Sequence, residues 1–197
     1  MFLSRAQTKN FLDADADGFI ARLSPWDLEA RHVRTRDEYL EKAIKSAGTF
    51  TDEECALLRR EVRRADAFLK GTRYDGLPWR FAKASYEEGL PHTRGGVIFL
   101  PGAVDASTLV HERVHVVQKR KGPSIPPGYV LSELFYKTIR ANPDTDGRVW
   151  LFNGVPADAY YRSPNPSGIM DVVQQEEHPF EAEAYAVSNA FRLKSSG

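Results

Sequence analysis

His111, Glu112 and His115 constrain this chain more than any other residues, because together they form H-E-x-x-H, a spacing with chemical meaning only on a helix. At about 3.6 residues per turn, positions i and i+4 lie almost above one another. Both imidazoles then reach one metal ion, while Glu112, one position round, leans toward a water on that metal. Two neutral nitrogen ligands suit zinc, whose other positions can be a carboxylate and a water. Residues 105–119 read as a helix on independent grounds. Leu109, Val110, Val114 and Val117 make an apolar stripe at helical spacing, and Gly122-Pro123 ends it. The preceding Gly96-Val97-Ile98-Phe99-Leu100-Pro101 is short, apolar and β-branched, and Pro101-Gly102 punctuates it, which predicts a strand. A surface helix with two unrelated histidines would need neither the stripe nor the strand.

Protein-bound zinc takes at least three ligands. Cys55 is the only cysteine, and the remaining histidines are His32, His92 and His178. No H-x-x-G-x-x-H continuation follows His115, so the third ligand lies outside the short motif. The segment His178-Pro179-Phe180-Glu181-Ala182-Glu183-Ala184-Tyr185-Ala186 offers one. Pro179 opens a helix, and the alanine-rich run sustains it. Glu181 falls in the first turn, where the helix dipole favours a carboxylate. Read alone, Glu181 and Glu183 are an acidic, solvated first turn; beside H-E-x-x-H they become candidate ligands.

With these two segments the chain resembles the gluzincins, metallopeptidases that pair an H-E-x-x-H helix with a Glu ligand on a second helix. Pro179-Phe180-Glu181-Ala182-Glu183-Ala184 is similar to the P-x-E-x-E-A stretch of the prenyl-protein endopeptidase type. In that type the first Glu binds zinc, which implies Glu181, 66 residues after His115. Glu183 stays open, either as the ligand or as the acceptor of a histidine N–H. An Asp commonly stands four residues after the ligand in that family, whereas this chain has Tyr185, so the oxygen that orients the histidines must come from elsewhere. The resemblance implies an α+β, zincin-like single domain whose active-site helix follows an edge strand able to pair with extended peptide. It also implies a zinc metallopeptidase acting on a protein or peptide substrate, with Zn2+ held by His111, His115 and Glu181. Glu112 would take the proton of the attacking water and pass it to the leaving amine. Tyr160, Tyr161 and Tyr185 are candidate oxyanion donors, none of them assigned. The alternative is a catalytically silent zincin-fold binding or scaffold protein; Glu112 speaks against it, because a purely structural site has no use for a general base.

Composition narrows the setting. A chain of 197 residues suffices for one domain with a sizeable core, divided by pattern into a helical N-terminal portion (1–72) and a catalytic portion (73–197). Basic and acidic residues balance at 27 each, which gives no global field for nucleic acid or an anionic membrane. The opening residues lack the apolar core of a signal peptide, and no apolar run approaches the roughly 18 residues of a membrane span. With one cysteine there is no internal disulfide, and the expectation is a soluble, cytoplasmic protein.

Local signals fill in the elements. Ser24-Pro25-Trp26 opens a short helix toward His32, Thr35 caps one running to about Ala47, and Thr51-Asp52-Glu53-Glu54 is a capping box for one ending near Gly71. On the last, Leu57, Leu58, Val62, Ala65 and Leu69 are the expected buried face. Its arginines Arg59, Arg60, Arg63 and Arg64 are diluted by Glu53, Glu54 and Glu61 and read as a solvated face. Strands are expected around 79–82 and 148–153, and a helix over 131–141. Asp13-Ala14-Asp15-Ala16-Asp17-Gly18-Phe19-Ile20 matches the first eight positions of an EF-hand loop, but Ser24 replaces the bidentate Glu at the twelfth. It is read either as a weak calcium loop or as a polar turn between helices.

Overall fold

The Thr51 capping box forms as its sequence requires. Thr51 Oγ1 accepts from the Glu54 amide at 3.2 Å, and Glu54 returns a carboxylate oxygen to the Thr51 amide at 2.7 Å. In the computed structural model, which describes residues 1–21, 35–86, 89–122, 124, 129–132, 149–152, 155–157 and 179–195, this box opens the third of five described helices. They are α1 (Arg5–Ile20), α2 (Arg36–Ser46), α3 (Asp52–Leu69), α4 (Ala106–Lys121) and α5 (Pro179–Ser195). The described strands are β1 (Phe81–Lys83), β2 (His92–Arg94), β3 (Val97–Leu100), β4 (Tyr129–Ser132), β5 (Val149–Phe152) and β6 (Val155–Ala157). The class is α+β, as expected. The helix expected from Ser24 toward His32 lies outside the described residues.

Contacts divide the chain into two units, Met1–Ala14 with Leu40–Gly122 and Ala184–Gly197, and Asp15–Tyr39 with Pro123–Glu183. The division passes through the middle of α1, α2 and α5, each of which remains one continuous helix.

The first unit is built on the sheet β1-β3-β2. β3 runs parallel to β1, with Ile98 opposite Phe81, and antiparallel to β2, with Ile98 opposite Thr93. All four β3 residues are buried, which is why the segment reads as a continuous apolar run rather than an alternating one. The expected strand before the H-E-x-x-H helix is thus present, but it is the central strand and not an edge. Two short neighbours that carry weak strand signals enclose it. β2 is brought alongside by a two-residue turn at Gly95 and Gly96, whose φ angles of 54° and 76° are those a tight hairpin needs. A Cβ at Gly95 would lie 2.8 Å from the Phe11 ring, so close packing also demands glycine there. On the far side of the sheet, Phe2 bridges Phe81 in parallel, covering the outer edge of β1. Among the described strands, β2 therefore stands last in the sheet order.

Leu58, Ala65 and Leu69 of α3 pack with Phe81, Ile98, Leu100, Leu109, Val110, Val116 and Phe191 into one apolar core. The expected α3 face is corrected at one position: Leu57 is 41% exposed, whereas Glu61, read as surface, is buried. Glu61 stays charged inside because Arg60, Arg64 and the Ala106 amide all donate to it, at 2.9, 2.7 and 3.1 Å. The same pairings occupy two of the four arginines that might have suggested a nucleic-acid surface.

The second unit contains the sheet β4-β5-β6, antiparallel throughout. β5 falls within the expected 148–153 strand. The helix expected over 131–141 is corrected at its start, because Leu131 and Ser132 belong to β4, paired with Trp150 and Val149; 133–141 lie outside the described residues. Both readings of residues 13–20, the weak calcium loop and the polar turn between helices, fail. Residues 13–20 are the second half of α1, where Leu12, Ala16 and Phe19 are buried at helical spacing. On a helix Asp15 points away from Asp13 and Asp17, so the three carboxylates cannot converge. Asp17 instead pairs with Arg36 at 2.8 Å.

Candidate metal centre

The helix that carries H-E-x-x-H is fixed at both ends and along its back. At its start Asp105 adopts extended backbone and accepts from the Thr108 amide at 2.7 Å, while Glu61 accepts from Ala106. At its end Gly122, with φ 73°, donates its amide to the Gln118 carbonyl at 2.8 Å. The predicted stripe Leu109, Val110, Val114 and Val117 is wholly buried. Arg113, two residues past His111 and so on the opposite side of the helix, is buried as well. Its guanidinium lies 4.0 Å from the Trp79 ring centroid and donates to the carbonyls of Leu77 and Pro78. Burial pulls its pKa down to about 10, against the counter-pull of Asp66 and Asp75. With its back so held, α4 turns His111 and His115 outward together.

The two imidazoles meet through their Nε2 atoms, 3.1 Å apart. Two nitrogens on a tetrahedral zinc with Zn–N of about 2.0–2.1 Å stand roughly 3.3 Å apart, so the pair is already spaced for one ion. Glu181 completes the group: one ligand atom from each of His111, His115 and Glu181 lies within 4.8 Å of the others. The donor set, two imidazoles and a buried carboxylate, could hold a divalent metal. Among the described residues this is the single such group.

Of the two carboxylates Glu181 and Glu183, the first is the one grouped with the histidines. Glu181 and Tyr185 are one turn apart on α5, and the Tyr185 ring packs edge-on against His111 with centroids 4.7 Å apart. Glu183, two residues on and so on another face, accepts from the Ser124 amide at 2.9 Å. Further along, Arg192 donates to Ser107 of α4 at 2.7 Å, and Phe191 meets Phe68 of α3 edge-on at 5.3 Å. Glu112 is buried beside the histidines, and its carboxylate accepts from the Thr93 hydroxyl of β2 at 2.8 Å.

Two polar neighbours escaped the sequence reading. Gln118 places its side-chain oxygen 2.8 Å from Nδ1 of His115. Its signal was there to be read, since it stands three residues after His115 on the same helix. Thr93 had a weaker signal: its strand is three residues long, and although the Gly95-Gly96 turn folds it onto β3, its reach to Glu112 depends on where α4 packs. Of the three tyrosines considered as oxyanion donors, Tyr185 is at the site through its ring, and Tyr160 and Tyr161 lie outside the described residues. Comparison with protein-family models, curated proteins and solved structures finds no match.

Proposed function

We propose that this chain is a zinc-dependent metallopeptidase of gluzincin type on a zincin-like fold. The observation that carries the reading is the meeting of His111, His115 and Glu181 next to a buried carboxylate, Glu112, that is not one of the three. A site that served only to hold metal would gain nothing from burying a second carboxylate there.

Zinc at this site would supply Lewis acidity and bring the pKa of a coordinated water toward about 7. His111, His115 and Glu181 would hold it. Glu112 accepts the proton released as the water attacks the scissile carbonyl, then delivers it to the departing amine. The Thr93 hydroxyl holds one Glu112 oxygen at 2.8 Å, leaving the other to receive the proton. Tyr185 keeps the His111 ring from turning. Because Thr93 belongs to β2, that strand runs beside the proposed general base. An extended peptide laid along it would lie across Glu112. The substrate class is therefore an extended peptide or protein segment.

The test is elemental analysis of protein purified without a histidine tag, followed by a peptide-library screen of the native chain and Glu112→Gln. We expect about one zinc per chain in both, with hydrolysis lowered about 10²–10⁴-fold in the variant. Absence of zinc after incubation with the metal, or substantial turnover by Glu112→Gln, overturns the reading. Stoichiometric zinc with no hydrolysis by the native chain would point to a scaffold protein instead.

A further inference from the structure

We infer that Gln118 is a positioning residue for the metal: its side-chain carbonyl holds His115 in the tautomer protonated at Nδ1, which leaves the Nε2 lone pair directed at the ion. The inference rests on the metal-site reading above and extends it to a residue outside the ligand set.

Neutral imidazole carries one proton, and the nitrogen that bears it cannot bind metal. In His115 the atom facing His111 is Nε2, at 3.1 Å, so an ion shared by the pair requires the proton to sit on Nδ1. An oxygen acceptor for that proton is what a ligand histidine requires, and in the related metallopeptidases an Asp four residues after the Glu ligand is commonly present. Here that position is Tyr185, whose ring lies on His111. The acceptor for His115 comes instead from its own helix: Gln118 Oε1, 2.8 Å from Nδ1. The i to i+3 spacing puts the two side chains on one face. Gln118 is 3% exposed, so water does not compete for the bond. An uncharged acceptor orients the ring without adding a negative charge beside Glu181 and Glu112.

The experiment compares zinc affinity, by competition with a chromophoric chelator, in the native chain, Gln118→Met and Gln118→Glu. Met keeps the volume and removes the acceptor; Glu keeps an acceptor. We expect Gln118→Met to weaken zinc binding about 10- to 100-fold, with circular dichroism of the metal-free protein unchanged, and Gln118→Glu to restore native affinity or exceed it. Imidazole ¹⁵N shifts of the native metal-free protein give a second readout that needs no variant to fold, and they should show His115 protonated at Nδ1. Native zinc binding that Gln118→Met leaves unchanged, or a His115 protonated at Nε2, overturns the role of Gln118 and leaves the metal site standing. A native chain that binds no zinc removes both.

Discussion

Thr93 shows how much a single side chain at this site can carry. Its hydroxyl donates to a buried carboxylate that is adjacent in sequence to one histidine and three residues from the other, yet Thr93 itself stands on a different element. Hydrogen bonds to charged groups contribute about 1.5–3 kcal/mol, so on the proposed peptidase reading losing this one should be felt in the proton transfer and not in metal retention. Thr93→Val is expected to lower kcat by about 10- to 100-fold with KM little changed and zinc content intact, and Thr93→Ser to recover most of it. Steady-state kinetics beside elemental analysis make the check. Loss of zinc from Thr93→Val would mean that Thr93 supports the fold of the site rather than the base.

At the scale of elements, α4 owes its fixed start to a residue on another helix. Glu61 of α3 takes the Ala106 amide and two guanidinium groups, and together with Asp105 it satisfies the first turn of the helix that carries both histidines. Burial pushes the Glu61 carboxyl up. Hydrogen bonds from Arg60 and Arg64, the charge of Arg64 and the Ala106 amide outweigh that push and hold it below the usual carboxylate range. A carboxyl lowered in the folded state stabilises fully above its unfolded value of about 4.3. That stabilisation is lost as pH falls through the lowered folded value. Glu61→Gln should therefore cost stability of about 1–3 kcal/mol at neutral pH and show a shallower loss between about pH 5 and pH 2 than the native chain. Urea midpoints across that range decide it; parallel curves would assign the acid loss to other carboxylates.

For the molecule as a whole, the residues that could hold a metal come from two helices far apart in sequence, with Glu181 66 residues after His115. A ligand that binds only the folded chain stabilises it by mass action, about 2.7 kcal/mol at a free concentration 100-fold above Kd. Added zinc should thus raise Tm in a concentration-dependent way and a chelator reverse the gain, while His115→Ala abolishes the dependence. Differential scanning calorimetry supplies the measurement, and a Tm indifferent to both zinc and chelator would count against a metal held by these residues. Basic and acidic residues balance at 27 each, and among the described residues no helix is long and apolar enough to cross a membrane.

The sequence by itself determined the local elements whose signals lie within a turn or two of the chain: the Thr35 and Thr51 caps, the buried stripe of α4, the apolar strand before it, and the spacing that sets His111 above His115. Local hydrogen-bond chemistry and side-chain period govern these, and both are written in consecutive residues. Where a longer-range partner decides, reading the residues falls short. β3 looked like an edge and is central, because pairing depends on two short segments elsewhere in the chain. The aspartates of α1 looked like a calcium loop, but the buried stripe of Leu12, Ala16 and Phe19 holds them in a helix. Glu61 looked solvated until the start of α4 supplied a buried donor. The meeting of Glu181 with the two histidines and the placing of Thr93 on Glu112 were decided only by the tertiary structure, since each depends on which face of an element meets its neighbour; Gln118, three residues after His115 on one helix, was within local reach.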